Sequence, residues 1–131
     1  MGGYGFGKKG KKDTSKRLRE TQRERETLNR VAAVYALMYM ESPEAVELLI
    51  EALGDESHLV RILAAIALGI KKNPKAVEPL IGVLRDESPE VRKACAEILE
   101  RLTGKHFGVN FKRWWEWLQG EMGDASGEKS G

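Results

Sequence analysis

The 131-residue chain has one cysteine, two histidines and four prolines. A single cysteine excludes a disulfide framework. His58 and His106 lie far apart in sequence with no ligand-spaced partner, which excludes the common zinc patterns. No run approaches the roughly 18 uncharged apolar residues of a membrane-spanning helix, and the first residues lack the apolar core of a secretory signal. Strand-type alternation is missing throughout. So are a phosphate loop, a Ser/His/Asp arrangement and a paired-metal motif. These absences predict a cytoplasmic, non-enzymatic protein with no cofactor and no membrane contact.

What the chain does have is charge, unevenly placed. Residues 1–30 carry ten basic against four acidic side chains, a net of +6, and the remainder carries twelve against sixteen, a net of −4. Nine of the fourteen glycines fall within the first ten or the last twelve residues, from Gly2 to Gly10 and from Gly120 to Gly131. Segments so poor in apolar side chains cannot repay the entropy of ordering. The expected layout is a basic arm over residues 1–26, disordered to about residue 13 and then helical, a repeat domain over 27–119, and a disordered tail over 120–131.

The repeat domain declares itself at an offset of 31 residues. Pro43, Ala45, Val46, Leu49, Ile50, Leu53, Asp55, Val60 and Arg61 recur as Pro74, Ala76, Val77, Leu80, Ile81, Leu84, Asp86, Val91 and Arg92. The same step backward takes Arg61, Ala64 and Leu68 to Arg30, Ala33 and Leu37, so a partial third unit precedes the two complete ones. Within a unit the apolar residues follow two runs of helical spacing, for example Ala45, Val46, Leu49, Ile50 and Leu53, then Val60, Leu63, Ala64, Ala67 and Leu68. Ser42-Pro43, Asn73-Pro74 and Ser88-Pro89 mark starts as a polar cap followed by proline at the first helical position, and Ser57 caps the remaining helix. Pro79, inside a helix, predicts a kink. Thr21 and Glu24 have the spacing of a capping box for a helix over Thr21–Arg30.

The segments SPEAVELLIEALGDESHLVRILAAIALG and NPKAVEPLIGVLRDESPEVRKACAEIL resemble the HEAT family, in particular its short-repeat branch that includes the repeats of phycobilisome lyases. The resemblance covers about residues 28–119. It implies an all-α fold, a short solenoid of antiparallel helix pairs that acts as a protein-protein interaction scaffold. It also implies that the Ala-Val-Glu-Pro-Leu helices line the concave face, where they would expose Glu44, Glu47, Glu51, Lys75, Glu78 and Arg85. Such a mainly acidic groove calls for a protein partner with a basic segment. The lyase activity of those relatives is not implied, because no catalytic group accompanies the scaffold.

Arg30, Arg61 and Arg92 hold one position in successive units, and structural pairing with Asp55 or Asp86 is expected of them. The closing stretch, with Gly104 as helix terminator, Asn110 as cap and the run Lys112-Arg113-Trp114-Trp115-Glu116-Trp117, resembles the cap of many HEAT-repeat proteins. Trp114 and Trp117 are expected to cover the last apolar face, and Trp115 points elsewhere. Cys95, between Ala94 and Ala96, reads as a small core residue. The arm gives an alternative function. Tyr4 and Phe6 precede Lys8, Lys9, Lys11, Lys12, Lys16, Arg17 and Arg19, and rings with dense positive charge suit RNA, as in a ribosome-associated factor anchored by its arm.

Overall fold

The computed structural model describes the backbone of residues 7–125 and the side chains of residues 14–123. Six α-helices follow in order: α1 (Gly7–Tyr39), α2 (Pro43–Ala52), α3 (His58–Lys71), α4 (Val77–Gly82), α5 (Pro89–Thr103) and α6 (Phe111–Ala125). There is no strand among the described residues. The fold is all-α, as the periodicity predicts.

The punctuation works largely as the residue types dictate. The Ser42 hydroxyl accepts from the Glu44 N–H at 3.2 Å, Asn73 Oδ1 from the Lys75 N–H at 2.8 Å, and Ser88 Oγ from the Val91 N–H at 3.4 Å. Ser57 departs from the expectation, since its side chain caps nothing. The carboxylate of Asp55 instead accepts the Ser57 N–H at 2.8 Å, and Asp86 does the same for Ser88 at 2.9 Å. Pro79 has the expected effect in a different form. The segment Pro74–Arg85 is broken into 3-10 turns at Pro74–Ala76 and Val83–Arg85 around a six-residue α4. Gly104 ends α5 at φ 76°, a left-handed conformation suited to glycine.

Two boundaries move. α1 is one 33-residue helix from Gly7, so it contains the segment 7–13 expected to be disordered, and Thr21 lies in its interior rather than at a cap. Lys, Arg, Glu and Gln are good helix formers, and a helix nucleated where Val34 and Met38 are buried propagates backward through them at little cost per residue. α6 likewise runs through Gly120 and Gly123 to Ala125. The remaining residues of both expected tails lie outside the described ones.

The helices form two layers. α3 packs along α1 on one side and α5 on the other, while α2 and α4 meet at most marginally and α6 packs on α4. The side chains explain the difference. Ala64, Ala65 and Ala67 are fully buried small residues on α3, and a Cβ on Gly69 would come within 3.0 Å of Ile98 on α5, so these helices approach closely. α1, α3 and α5 make up this closely packed layer, and α2 and α4 lie in the second. Between the layers, Leu49, Leu68, Leu80, Ile81, Val91 and Leu99 are completely buried and carry the apolar free energy of the stack. α6 closes the far end with a fully buried Trp114.

Candidate functional site

The loops between paired helices are held by a repeating clamp. Arg30 Nε lies 2.8 Å from Asp55 Oδ1, and its Nη2 donates to Oδ2 at 3.3 Å. One unit on, Arg61 Nε lies 2.8 Å from Asp86 Oδ2, and Nη2 donates to Oδ1 at 3.1 Å. The same guanidinium also reaches back, where Arg61 Nη1 donates to the Asp55 carbonyl at 2.7 Å, and Arg92 Nη1 repeats this on the Asp86 carbonyl at 2.6 Å. Arg61 thus ties its own loop to the next, Arg30 makes only the forward contact, and Arg92 only the backward one. The planar fork suits a carboxylate on one side and a carbonyl on the other. These groups are committed to the loops, which fixes the pitch of the stack and the presentation of α2.

Of the expected groove residues, Glu44, Glu47 and Glu51 come together as an exposed stripe on α2, at spacings of three and four around an exposed Leu48. Between Glu41 and Glu56 there are six carboxylates and no Lys or Arg. Glu44 sits at the helix start, where the Ser42 hydroxyl and its own backbone N–H hold its carboxyl below the usual range. Glu44 is thereby held toward its charged form at the start of the stripe. On the next unit Glu78 and Lys75 are exposed, but Arg85 is not available in the same way. Its guanidinium lies over the Phe111 ring, 3.7 Å from the centroid, and so joins α6 to the layer of α2 and α4. Nothing in the spacing of Arg85 signals that contact, because it depends on where α6 lands.

A cavity of about 610 Å³ lies between α3 and α5, walled by Ile66, Ile70, Ile98 and Leu102, with Glu97 and Arg101 also lining it. Sequence reasoning missed it. The signal was the repeat register, in which Ile66 and Ile70 are apolar where Glu97 and Arg101 are charged.

The arm residues divide. Lys16, Arg17 and Arg19 are exposed on α1, as is every side chain from Thr14 to Glu26. Lys8, Lys9, Lys11 and Lys12 fall on the α1 backbone with side chains outside the described residues, and Tyr4 and Phe6 are wholly outside them. At the other end, Trp114 donates its indole N–H to the Gly108 carbonyl at 2.7 Å and stands edge-on to Phe107 at 4.9 Å and Trp117 at 5.9 Å. Trp115 is partly exposed and stacks on Phe111 at 6.0 Å. The Asn110 side chain accepts the Arg113 N–H at 3.1 Å, as its cap position predicts.

No three of His, Cys, Asp and Glu converge as metal ligands among the described residues. Burial, helped by the Asp86 charge, pushes the Cys95 thiol up to about 12. Because the thiolate is the nucleophile, Cys95 is expected to resist a thiol-exchange reagent at pH 8 in the folded chain and to react at once in denaturant. Rapid reaction without denaturant would contradict its place in the core.

A family model described as HEAT repeats matches residues 14–100, more than half of the chain. No curated protein and no solved structure matches it. Among the described residues no helix is long and apolar enough to cross a membrane.

Proposed function

The chain belongs to the HEAT-repeat family, whose repeats typically serve as protein-interaction scaffolds, and from that premise we propose that it is a non-catalytic scaffold binding a basic segment of a partner protein. The observation that carries this reading is the acidic stripe of Glu44, Glu47 and Glu51 on α2, within a stretch that has no Lys or Arg of its own and of which Arg30 pairs only with Asp55 and Glu56 at the far end. Glu78 extends the surface onto α4, and Leu48 supplies an apolar contact in its centre. The clamp of Arg30, Arg61, Asp55 and Asp86 supports the reading by fixing α2 against its neighbours, which lowers the ordering cost of binding.

The test is a fluorescence anisotropy titration of a labelled Lys/Arg-rich peptide of about 15 residues. Glu44→Gln, Glu47→Gln and Glu51→Gln together should weaken binding at least about tenfold, and high salt should weaken the parent to the same degree. Affinity indifferent to both changes would overturn the reading.

A second reading, RNA binding through α1, has one observation in its favour: the helix from Thr14 to Glu26 is fully exposed and carries excess positive charge. Reversing Arg17, Arg19 and Arg23 to Glu would then abolish a salt-dependent affinity for single-stranded RNA while leaving the peptide titration unchanged.

A further inference from the structure

Leu18, Leu28 and Tyr39 expose 65%, 63% and 74% of their surface although each lies within the long first helix. At 100° per residue they share one face of α1 with Ala32, Tyr35 and Ala36, within an arc of about 100°, turned away from the buried Val34 and Met38. Alternating steps of three and four link positions 18, 21, 25, 28, 32, 35 and 39, which is the spacing of a helix-pairing seam. Only Thr21 and Arg25 interrupt the apolar set. Ala32, Ala33 and Ala36 are exposed and small, so a second helix can lie close to α1.

The repeat register shows that this is an open end of the stack. Ala36 corresponds to Ala67 and Ile98, and both of those are buried against the neighbouring unit. At the opposite end α6 covers the last unit. α1 and the adjoining α2 have no such cover among the described residues.

We propose that this end is covered by a second copy of the chain, through antiparallel pairing of the two α1 helices. Charge selects that occupant. Residues 7–30 carry a net +6, and Glu41–Glu56, which follows α1 directly in the chain, carries six carboxylates and no Lys or Arg, of which Asp55 and Glu56 are paired with Arg30. Parallel pairing would bring two basic halves together. Antiparallel pairing sets Leu18 of one copy opposite Tyr39 of the other and Arg25 opposite Ala32, with the two-fold axis between Leu28 and Asn29. The residues ahead of Leu18 then overhang the end of the other α1 by about 16 Å, which carries Lys16 and Arg17 toward Glu41 and Glu44. The contact is self-complementary, as a two-fold interface requires. The inference rests on the reading that the α2 stripe takes a basic segment, and it names the segment as α1 of a second copy.

Sedimentation equilibrium of the full chain tests it. At low salt the mass should be twice 14.7 kDa. High salt should raise the dissociation constant about tenfold or more. Leu28→Glu should give a monomer with unchanged helical circular dichroism, because Leu28 supports nothing within one copy. On oxidation, Leu28→Cys should link to itself across the two-fold axis, whereas Leu18→Cys should link only when mixed with Tyr39→Cys. A single-copy mass throughout, a dimer indifferent to Leu28→Glu, or self-linking of Leu18→Cys would each overturn the proposal. The two readings fail separately. The Leu28→Glu monomer should bind the labelled basic peptide more tightly than the parent, since its stripe is vacated. A monomeric parent that binds the peptide sinks the dimer alone. A dimer sensitive to Leu28→Glu, whose monomer ignores the peptide, sinks the acidic-stripe reading alone.

Discussion

Arg61→Ala is expected to cost about 3–5 kcal/mol of folding stability, read as a lower midpoint in urea with an unchanged slope. The side chain of Arg61 is 9% exposed and that of Asp86 11%, so removing the guanidinium leaves a nearly buried carboxylate without its partner and the Asp55 carbonyl without its donor. Arg30→Ala removes a 34% exposed guanidinium that makes no carbonyl contact, so although it also leaves Asp55 at 13% exposure, water reaches the pair and the loss should be smaller, about 1–2 kcal/mol. The contrast matters more than either value. Two equivalent residues, one repeat apart, should differ because one clamp is closed over by the next unit. Equal losses at Arg30 and Arg61 would show that burial does not govern the ladder. Replacing Arg61 and Asp86 together by Met and Leu should recover much of the loss, since no charge is then left buried alone.

Trp114→Ala should be comparably severe, at about 3–5 kcal/mol. Its ring, on the inward face of α6, is wholly buried, touches Phe107 and Trp117, and donates its one polar group to the Gly108 carbonyl. Truncation removes the apolar area and leaves that carbonyl unpaired. Trp115→Ala, one residue away, takes away only a partly exposed ring stacked on Phe111 and should cost about 1 kcal/mol or less. Urea titration of both variants decides the order. A more damaging Trp115 substitution would mean that α6 is rotated from the orientation described.

Much of this architecture is written in short-range pattern. The 31-residue offset, the Ser-Pro and Asn-Pro starts, the stop at Gly104 and the small residues between α3 and α5 each act through local chemistry that a sequence displays. What could not be read depends on how elements meet. The extent of α1 follows from cooperative propagation, and a Thr21–Glu24 spacing cannot start a helix where an earlier turn already continues through it. Ser57 looks like a cap, yet the Asp55 carboxylate reaches its amide and the hydroxyl makes no cap bond. How closely the helices of one layer approach depends on the residues they bring together, as Gly69 and Ile98 do between α3 and α5, while amphipathic spacing only tells inside from outside. The pairing of Arg85 with Phe111 joins residues whose spacing has no periodic signature.

The clamp and the stripe fit one account. Charges that are buried hold the repeats in register, and charges that are exposed on α2 are left free to meet a partner. The most direct measurement is a map of amide chemical-shift changes in a ¹⁵N-labelled full chain as the basic peptide is added. The account predicts shifts concentrated from Glu41 to Glu51, with a weaker set near Glu78, all fading as salt is raised. Shifts gathered instead around Ile66, Ile70 and Arg101 at the cavity between α3 and α5, or no shifts at all, would contradict it.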